Sequence, residues 1–131
     1  MEVKFGGIYL YDPPKASTSQ QAALISTSGS EQSGMRPWII VSRDWVNQGK
    51  PTAVGVPLTT KTSKANSYRI ALPAAELIRD VASDWTFVDS VALCDHIRVL
   101  DINLIKKRIG KLSDTAIAGV GLGLSCIFDL R

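Results

Sequence analysis

Glu31 and Arg36 stand five residues apart in Gly29-Ser-Glu-Gln-Ser-Gly-Met-Arg36, a glycine-bounded stretch that runs through Pro37 into the apolar run Trp38-Ile-Ile-Val41. A carboxylate accepts a proton at neutral pH, while a guanidinium stays charged and binds phosphate oxygens two at a time. Further on, Thr59 and Thr60 close a second apolar run, and Asp95 and His96 sit side by side within Ser90–Val99. Such residues at strand ends suit phosphate chemistry, with donors for an anion and a carboxylate for a proton. Each also has a plainer reading. Glu31 and Arg36 can pair in an exposed loop, worth ~0–1 kcal/mol. Thr59 and Thr60 can be ordinary strand-end residues, and Asp95 can anchor a loop by a buried hydrogen bond. His96, the single histidine, is read first as structural or interfacial.

Other chemistries lack their signatures. GxGxxG, Walker, GxSxG and HExxH patterns do not occur. Cys94 and Cys126 lie in apolar surroundings without CxxC spacing, which reads as two buried, reduced thiols. Two distant cysteines and one histidine make no recognisable zinc set, so neither metal nor cofactor is expected.

The chain has 131 residues, 45% hydrophobic and 21% charged, with a mean hydropathy of +0.09, which fits one globular domain over 1–131. No apolar run approaches the ~18 residues of a membrane span. The N-terminus, Met-Glu-Val-Lys-Phe-Gly-Gly, lacks a basic region followed by an apolar core, so a cytoplasmic protein is expected. A net charge of +3 permits a polyanionic partner without demanding one. The basic cluster Lys106–Lys111 reads as a solvated face that can also meet RNA phosphates.

The elements that must position these groups read as follows. Gly7–Tyr11 is a first strand, stopped by Asp12-Pro13-Pro14. The Ser-, Thr-, Gln- and Ala-rich segment Lys15–Ser28 reads as part of a mobile loop insertion over 13–30, either inert or a flap over a ligand groove. Trp38–Ser42 is a buried central strand and Ala53–Leu58 a third, with Pro57 marking an edge or bulge. Tyr68–Leu72 alternates, with Tyr68, Ile70 and Leu72 on one face and Arg69 and Ala71 on the other. Pro73–Ile78 reads as a short helix. Ser90–Val99 reads as one unbroken strand in which Asp95 interrupts an apolar row.

A helical turn follows from Asp101, then a short edge strand over Lys106–Leu112. Ser113 then caps a final helix that packs through Ile117, Val120, Leu124 and Ile127. Gly119 and Gly123 share a face of that helix and would permit close approach, a twin subunit being one neighbour to consider. Runs of strands ending in a helix imply an α+β fold: a strongly curved antiparallel sheet, or small barrel.

Five motifs in order give the chain a resemblance: Gly6-Gly7-Ile8, Gly29-Ser-Glu-Gln-Ser-Gly-Met-Arg-Pro37, Val56-Pro-Leu-Thr59, Cys94-Asp-His-Ile-Arg98 and Lys107-Arg-Ile-Gly-Lys-Leu112. Together they resemble the MazF/PemK (Kid) family of toxin endoribonucleases. The resemblance implies a small SH3-like barrel with a C-terminal helix, of the CcdB/PemK kind. It also implies a homodimer with no membrane partner, and a cognate antitoxin (MazE/PemI-like) whose extended tail occupies the RNA groove. The activity it implies is metal-independent cleavage of single-stranded RNA, chiefly mRNA, at short sequences.

On this resemblance Arg36 and Thr59 match active-site positions, Glu31 an acidic or related polar position, and Asp95 a catalytic or RNA-binding one. The implied reaction is attack of a ribose 2′-hydroxyl on the adjacent phosphorus, leaving 2′,3′-cyclic phosphate and 5′-hydroxyl ends. We assign Glu31 as base, Arg36 as stabiliser of the phosphorane and Thr59 as donor to a phosphate oxygen. Thr60, Lys61, Asp95, His96 and Arg98 are RNA-binding or auxiliary. The chain departs from the family pattern in the Lys15–Ser28 segment and in His96, where Gln is common. It departs too in Val99, where Thr is common, and in Leu93, a catalytic Arg in one branch. The alternatives are a toxin of the same fold that poisons DNA gyrase, as the CcdB group does, and an inactive RNA-binding module.

Overall fold

The computed structural model describes residues 1–14 and 34–130. The expected insertion therefore lies, but for Pro13 and Pro14, outside the described residues. Among the described residues eight antiparallel strands form a sheet curled into a half-barrel: β1 (Gly7–Tyr11), β2 (Arg36–Ile40), β3 (Thr52–Thr59), β4 (Arg69–Leu72), β5 (Leu77–Arg79), β6 (Ser90–Leu93), β7 (Arg98–Asp101) and β8 (Ile105–Leu112). Their spatial order is β4-β6-β3-β2-β1-β8-β5, with β7 also paired to β3. A single-turn helix, α1 (Asp44–Asn47), joins β2 to β3, and α2 (Asp114–Phe128) closes the described chain.

Side chains alternate across each strand, so the sheet is buried on two faces. Ile8, Leu10, Ile39, Val56, Leu58 and Ile109 pack beneath α2 with Ala116 and Val120. Tyr9, Tyr11, Trp38, Ile40, Ala53 and Leu100 form a second cluster on the other face. Burying each large side chain contributes roughly 1.5–3 kcal/mol.

Ser113 caps α2 as expected, its hydroxyl accepting from Ala116 N at 3.1 Å, and Asp114 lies in the first turn. The helix ends at Asp129 in the left-handed conformation (φ 51°). Asp101 caps the turn Ile102–Leu104, its carboxylate accepting from Asn103 N at 2.9 Å.

Several expectations are corrected. Ser90–Val99 is not one strand. It breaks into β6, a 3₁₀ turn over Cys94–His96, and β7, because β3 is long enough to pair with two short strands in succession. Asp95 consequently stands on a turn rather than within an apolar row.

Pro57 marks no sheet edge: it is fully buried in β3 opposite Trp38 of β2. Its missing N–H points to the side where the Cys94–His96 turn interrupts the neighbouring strands, so no ladder bond is lost. Lys106–Lys111 belongs to β8, which is paired on both sides, by β1 and β5. Pro73–Ile78 forms a 3₁₀ turn (Ala74–Glu76) and then β5, because pairing Leu77 with Leu112 buries Leu77.

The Gly119/Gly123 face is occupied within the chain. A Cβ on Gly123 would lie 2.8 Å from Ile70 Cγ1 and 3.0 Å from Cys94 Sγ, and one on Gly119 3.3 Å from Ile70 Cγ2. Close approach therefore serves packing of α2 on β4 and the Cys94–His96 turn, not contact with a twin subunit. Cys94 is buried as expected, but Cys126 is exposed.

Candidate active site

The register of β2 on β3 pairs Trp38 with Pro57, Ile39 with Val56 and Ile40 with Gly55, and Val41 N donates to Val54 O at 2.9 Å. Continued two residues, it sets Arg36 opposite Thr59. Since 41–54 and 39–56 are the hydrogen-bonded pairs, 36–59 is of the non-hydrogen-bonded kind, in which facing side chains approach most closely. Both share strand parity with Trp38 and Pro57, so both project from the face away from α2. Arg36 is half-buried and Thr59 buried.

Thr59 Oγ1 accepts from Lys61 N at 3.2 Å, which leaves its hydroxyl proton for an outside acceptor such as a phosphate oxygen. Thr60 and Lys61 open an exposed loop immediately beyond. Glu31 lies outside the described residues.

On the other edge of β3, β6 pairs through Leu58–Ala92 and Thr59–Val91, and the Cys94–His96 turn follows alongside Val56 and Pro57. In a three-residue turn positions i and i+3 eclipse. Cys94 and Ile97 both pack into the helix-side cluster, so Asp95 and His96 project toward the face that carries Arg36 and Thr59. Arg69 of β4, whose neighbours Ile70 and Leu72 face α2, joins them there.

Its Nε donates to Asp95 Oδ1 at 3.0 Å and to Oδ2 at 3.2 Å, and its Nη2 donates to Oδ2 at 2.7 Å. His96 Nε2 lies 3.8 Å from the same Oδ2. Partial burial works against ionisation of Asp95. The Arg69 hydrogen bonds, with the positive charge of His96 and Arg69, outweigh it and hold the carboxyl below its ordinary range.

Arg98 stands apart. It pairs with Gly55, four residues and roughly 13 Å along β3 from Thr59. The Lys106–Lys111 cluster is mostly exposed; within it, Arg108 Nε lies 3.5 Å from Asp80 Oδ2. Burial, with the Asp95 charge nearby, pushes the Cys94 thiol up to about 12, so it is inert at neutral pH. Among the described residues no cluster of three metal-binding side chains forms, and no helix is long and apolar enough to cross a membrane. Sequence reasoning missed Arg69. Its signal was a lone arginine on the polar face of an alternating strand.

A curled antiparallel half-barrel with a closing helix bears cationic and hydroxyl side chains at one end of its central strands, a site of the anion-binding class. Known proteins narrow this class. The profile of PemK-like, MazF-like toxins of type II toxin–antitoxin systems matches residues 4–128. The chain is 33% identical over 94 residues to an endoribonuclease MazF of Staphylococcus saprophyticus, covering 71% of this chain and 72% of that one.

In structure it is similar to MazF of Deinococcus radiodurans, with a TM-score of 0.71 at 21% identity over 99% of each chain. It is also similar to a mycobacterial endoribonuclease solved in complex with its cognate antitoxin, with a TM-score of 0.67 at 19% identity over 98% of this chain and 97% of that one. The chain therefore belongs to the PemK-like, MazF-like toxin family of type II toxin–antitoxin systems, as a MazF-type endoribonuclease.

Proposed function

We propose that this protein is the toxin of a toxin–antitoxin pair and cleaves single-stranded RNA at short sequences without a metal ion, thereby stopping translation. The observation that carries this reading is the register of β2 on β3, which continued by two residues sets Arg36 opposite Thr59. Arg36 supplies the cation at the scissile phosphate, and the Thr59 hydroxyl donates to a non-bridging oxygen.

The ribose 2′-oxygen attacks phosphorus as its proton leaves to Glu31. The bond from phosphorus to the 5′-oxygen then breaks, and that oxygen takes up a proton from water while Arg36 stabilises its developing charge. The base is assigned to Glu31 rather than Arg36 because a guanidinium, with a pKa above about 12, stays protonated at neutral pH. The products are a 2′,3′-cyclic phosphate and a 5′-hydroxyl. Thr60 and Lys61, on the loop leaving Thr59, guide the strand.

As a proposal the protein is a single cytoplasmic domain over 1–131, acting as a homodimer. Its cognate antitoxin lays an extended tail across the same groove. Antitoxin-bound relatives of the same fold support that partnership.

The test is incubation of the purified protein with a long unstructured RNA in excess EDTA, with Arg36→Ala alongside, and mapping of the ends. Cleavage at a recurrent short motif with cyclic-phosphate ends, reduced at least 100-fold in the variant, is expected. No cleavage by folded protein would shift the assignment to a gyrase-directed or RNA-binding role. Full activity of Glu31→Gln would remove Glu31 as the base.

A further inference from the structure

We propose that the Arg69–Asp95 ion pair reads a nucleobase. Arg69 is a positioning residue that holds the Asp95 carboxylate in one orientation, and Asp95 accepts a hydrogen bond from the amino group of one base of the bound RNA. It thereby selects adenine, cytosine or guanine over uracil at that position. The inference rests on the RNA-cleaving reading above and deepens it.

Arg69 is built on a fixed backbone. The Asn66 side-chain oxygen accepts from Tyr68 N at 2.9 Å and from Arg69 N at 2.8 Å, and Asn66 N donates to Arg69 O at 2.9 Å. The guanidinium carbon stands 5.9 Å from the centre of the Tyr68 ring, and Arg69 is in register with Leu93, directly before the turn that carries Asp95. The side chains of Arg69 and Asp95 are only 24% and 26% exposed. A fork that is anchored at its base and grips both carboxylate oxygens leaves Asp95 little rotational freedom.

The grip does not exhaust the carboxylate. An ionised carboxylate offers about four lone-pair sites, and a two-point pair takes those along one edge, leaving others free to accept. Because Arg69 keeps Asp95 ionised, it makes a poor proton acceptor and a good hydrogen-bond acceptor. Adenine, cytosine and guanine each carry an amino donor. Uracil offers a single imino N–H between two carbonyl oxygens, which repel an anion. Unstacked bases of single-stranded RNA are read on these edges.

The experiment is cleavage of a pool of unstructured RNAs with randomised bases, with sequencing of the ends, for wild type, Asp95→Asn, Arg69→Ala and Arg69→Lys, each checked by thermal melting. Wild type is expected to disfavour uracil at one position of its motif. Asp95→Asn, which removes charge without volume, and Arg69→Ala should each shrink the ratio of amino-bearing base to uracil there about tenfold, with other positions unchanged. Arg69→Lys, a point charge without the fork, should fall between. If Arg69→Ala does not fold, Asp95→Asn and Arg69→Lys carry the test.

Preferences unchanged in Asp95→Asn or in folded Arg69→Ala would overturn the inference. So would a loss spread evenly over all positions, or a wild type indifferent to uracil throughout its motif. A wild type that cuts no RNA would overturn the nuclease reading and this inference with it. A wild type that cuts at a motif insensitive to both variants would overturn this inference alone.

Discussion

The two faces of the sheet differ in the chemistry they bury. Beneath α2 the cluster is aliphatic, with Ile8, Ile39, Val56 and Ile109 fully buried. On the opposite face the large side chains carry polar tips. Tyr9 Oη accepts from Lys4 N at 2.9 Å, and Tyr11 Oη accepts from Asp101 N at 3.4 Å. Tyr11 and Trp38 meet edge to face with ring centres 5.8 Å apart. The buried Trp38 Nε1 finds no hydrogen-bond partner among the described residues.

The dry face gains stability from shape and area. The other tolerates its tyrosine hydroxyls because backbone N–H groups pair with them. The aliphatic helix-side core and the candidate site thus lie on opposite sides of the same strands, on residues one position apart.

That separation can be tested in order of effect. Ile39→Ala, on the helix side, should cost about 2–5 kcal/mol by denaturant unfolding and leave the cleavage motif unaltered. Thr59→Val, one strand away on the other face, should lower cleavage sharply while changing the melting temperature little. Equal losses of stability in both would erase the distinction. Gly123→Val should destabilise by about 1–3 kcal/mol, since its side chain would press into Ile70 and Cys94, whereas Gly121→Ala, which meets nothing within 4 Å, should not. Ser113→Ala removes the α2 cap and the hydroxyl's bond to Glu76, and should cost about 0.5–2 kcal/mol with cleavage retained.

The smallest effect separates the polar cluster by pH. Asp95 has a folded-state pKa below its ordinary 3.8, so its contribution is present above that value and is lost as pH falls through the lower folded value. From pH ~5 downward the stability difference between wild type and Asp95→Asn should therefore shrink, and the two should converge in acid. A difference that grew as pH fell would contradict the assigned shift. Thiol labelling gives a parallel check: Cys126 should react in the folded protein, and Cys94 only after unfolding.

Much of the fold was legible in local pattern. Gly7–Tyr11 is a strand as read, and Ser113 caps the final helix through Ile117, Val120, Leu124 and Ile127, because alternation, helical spacing and capping are local properties. The errors arose where pairing overrode local preference. Ser90–Val99 alternates well enough for one strand, but β3 takes two partners and the chain between them must turn. Lys106–Lys111 looked like an edge because lysines discourage pairing, yet β8 has neighbours on both sides. The candidate residues Arg36, Thr59, Asp95 and His96 stand out in the sequence through their motifs. Arg69 was not, because nothing near it in sequence reveals a partner 26 positions away.

The alternation that divides a two-sided sheet and the residue types capable of phosphate chemistry can be read along the chain because they are local properties, and the family is legible through the resemblance that five ordered motifs carry. It took the folded chain to fix the β2–β3 register that sets Arg36 opposite Thr59, to lift Asp95 out of the strand into the grip of Arg69, and to engage Gly119 and Gly123 in internal packing. Strand register and side-chain pairing are set by contacts between segments far apart in sequence. Their free energy appears only when the sheet closes.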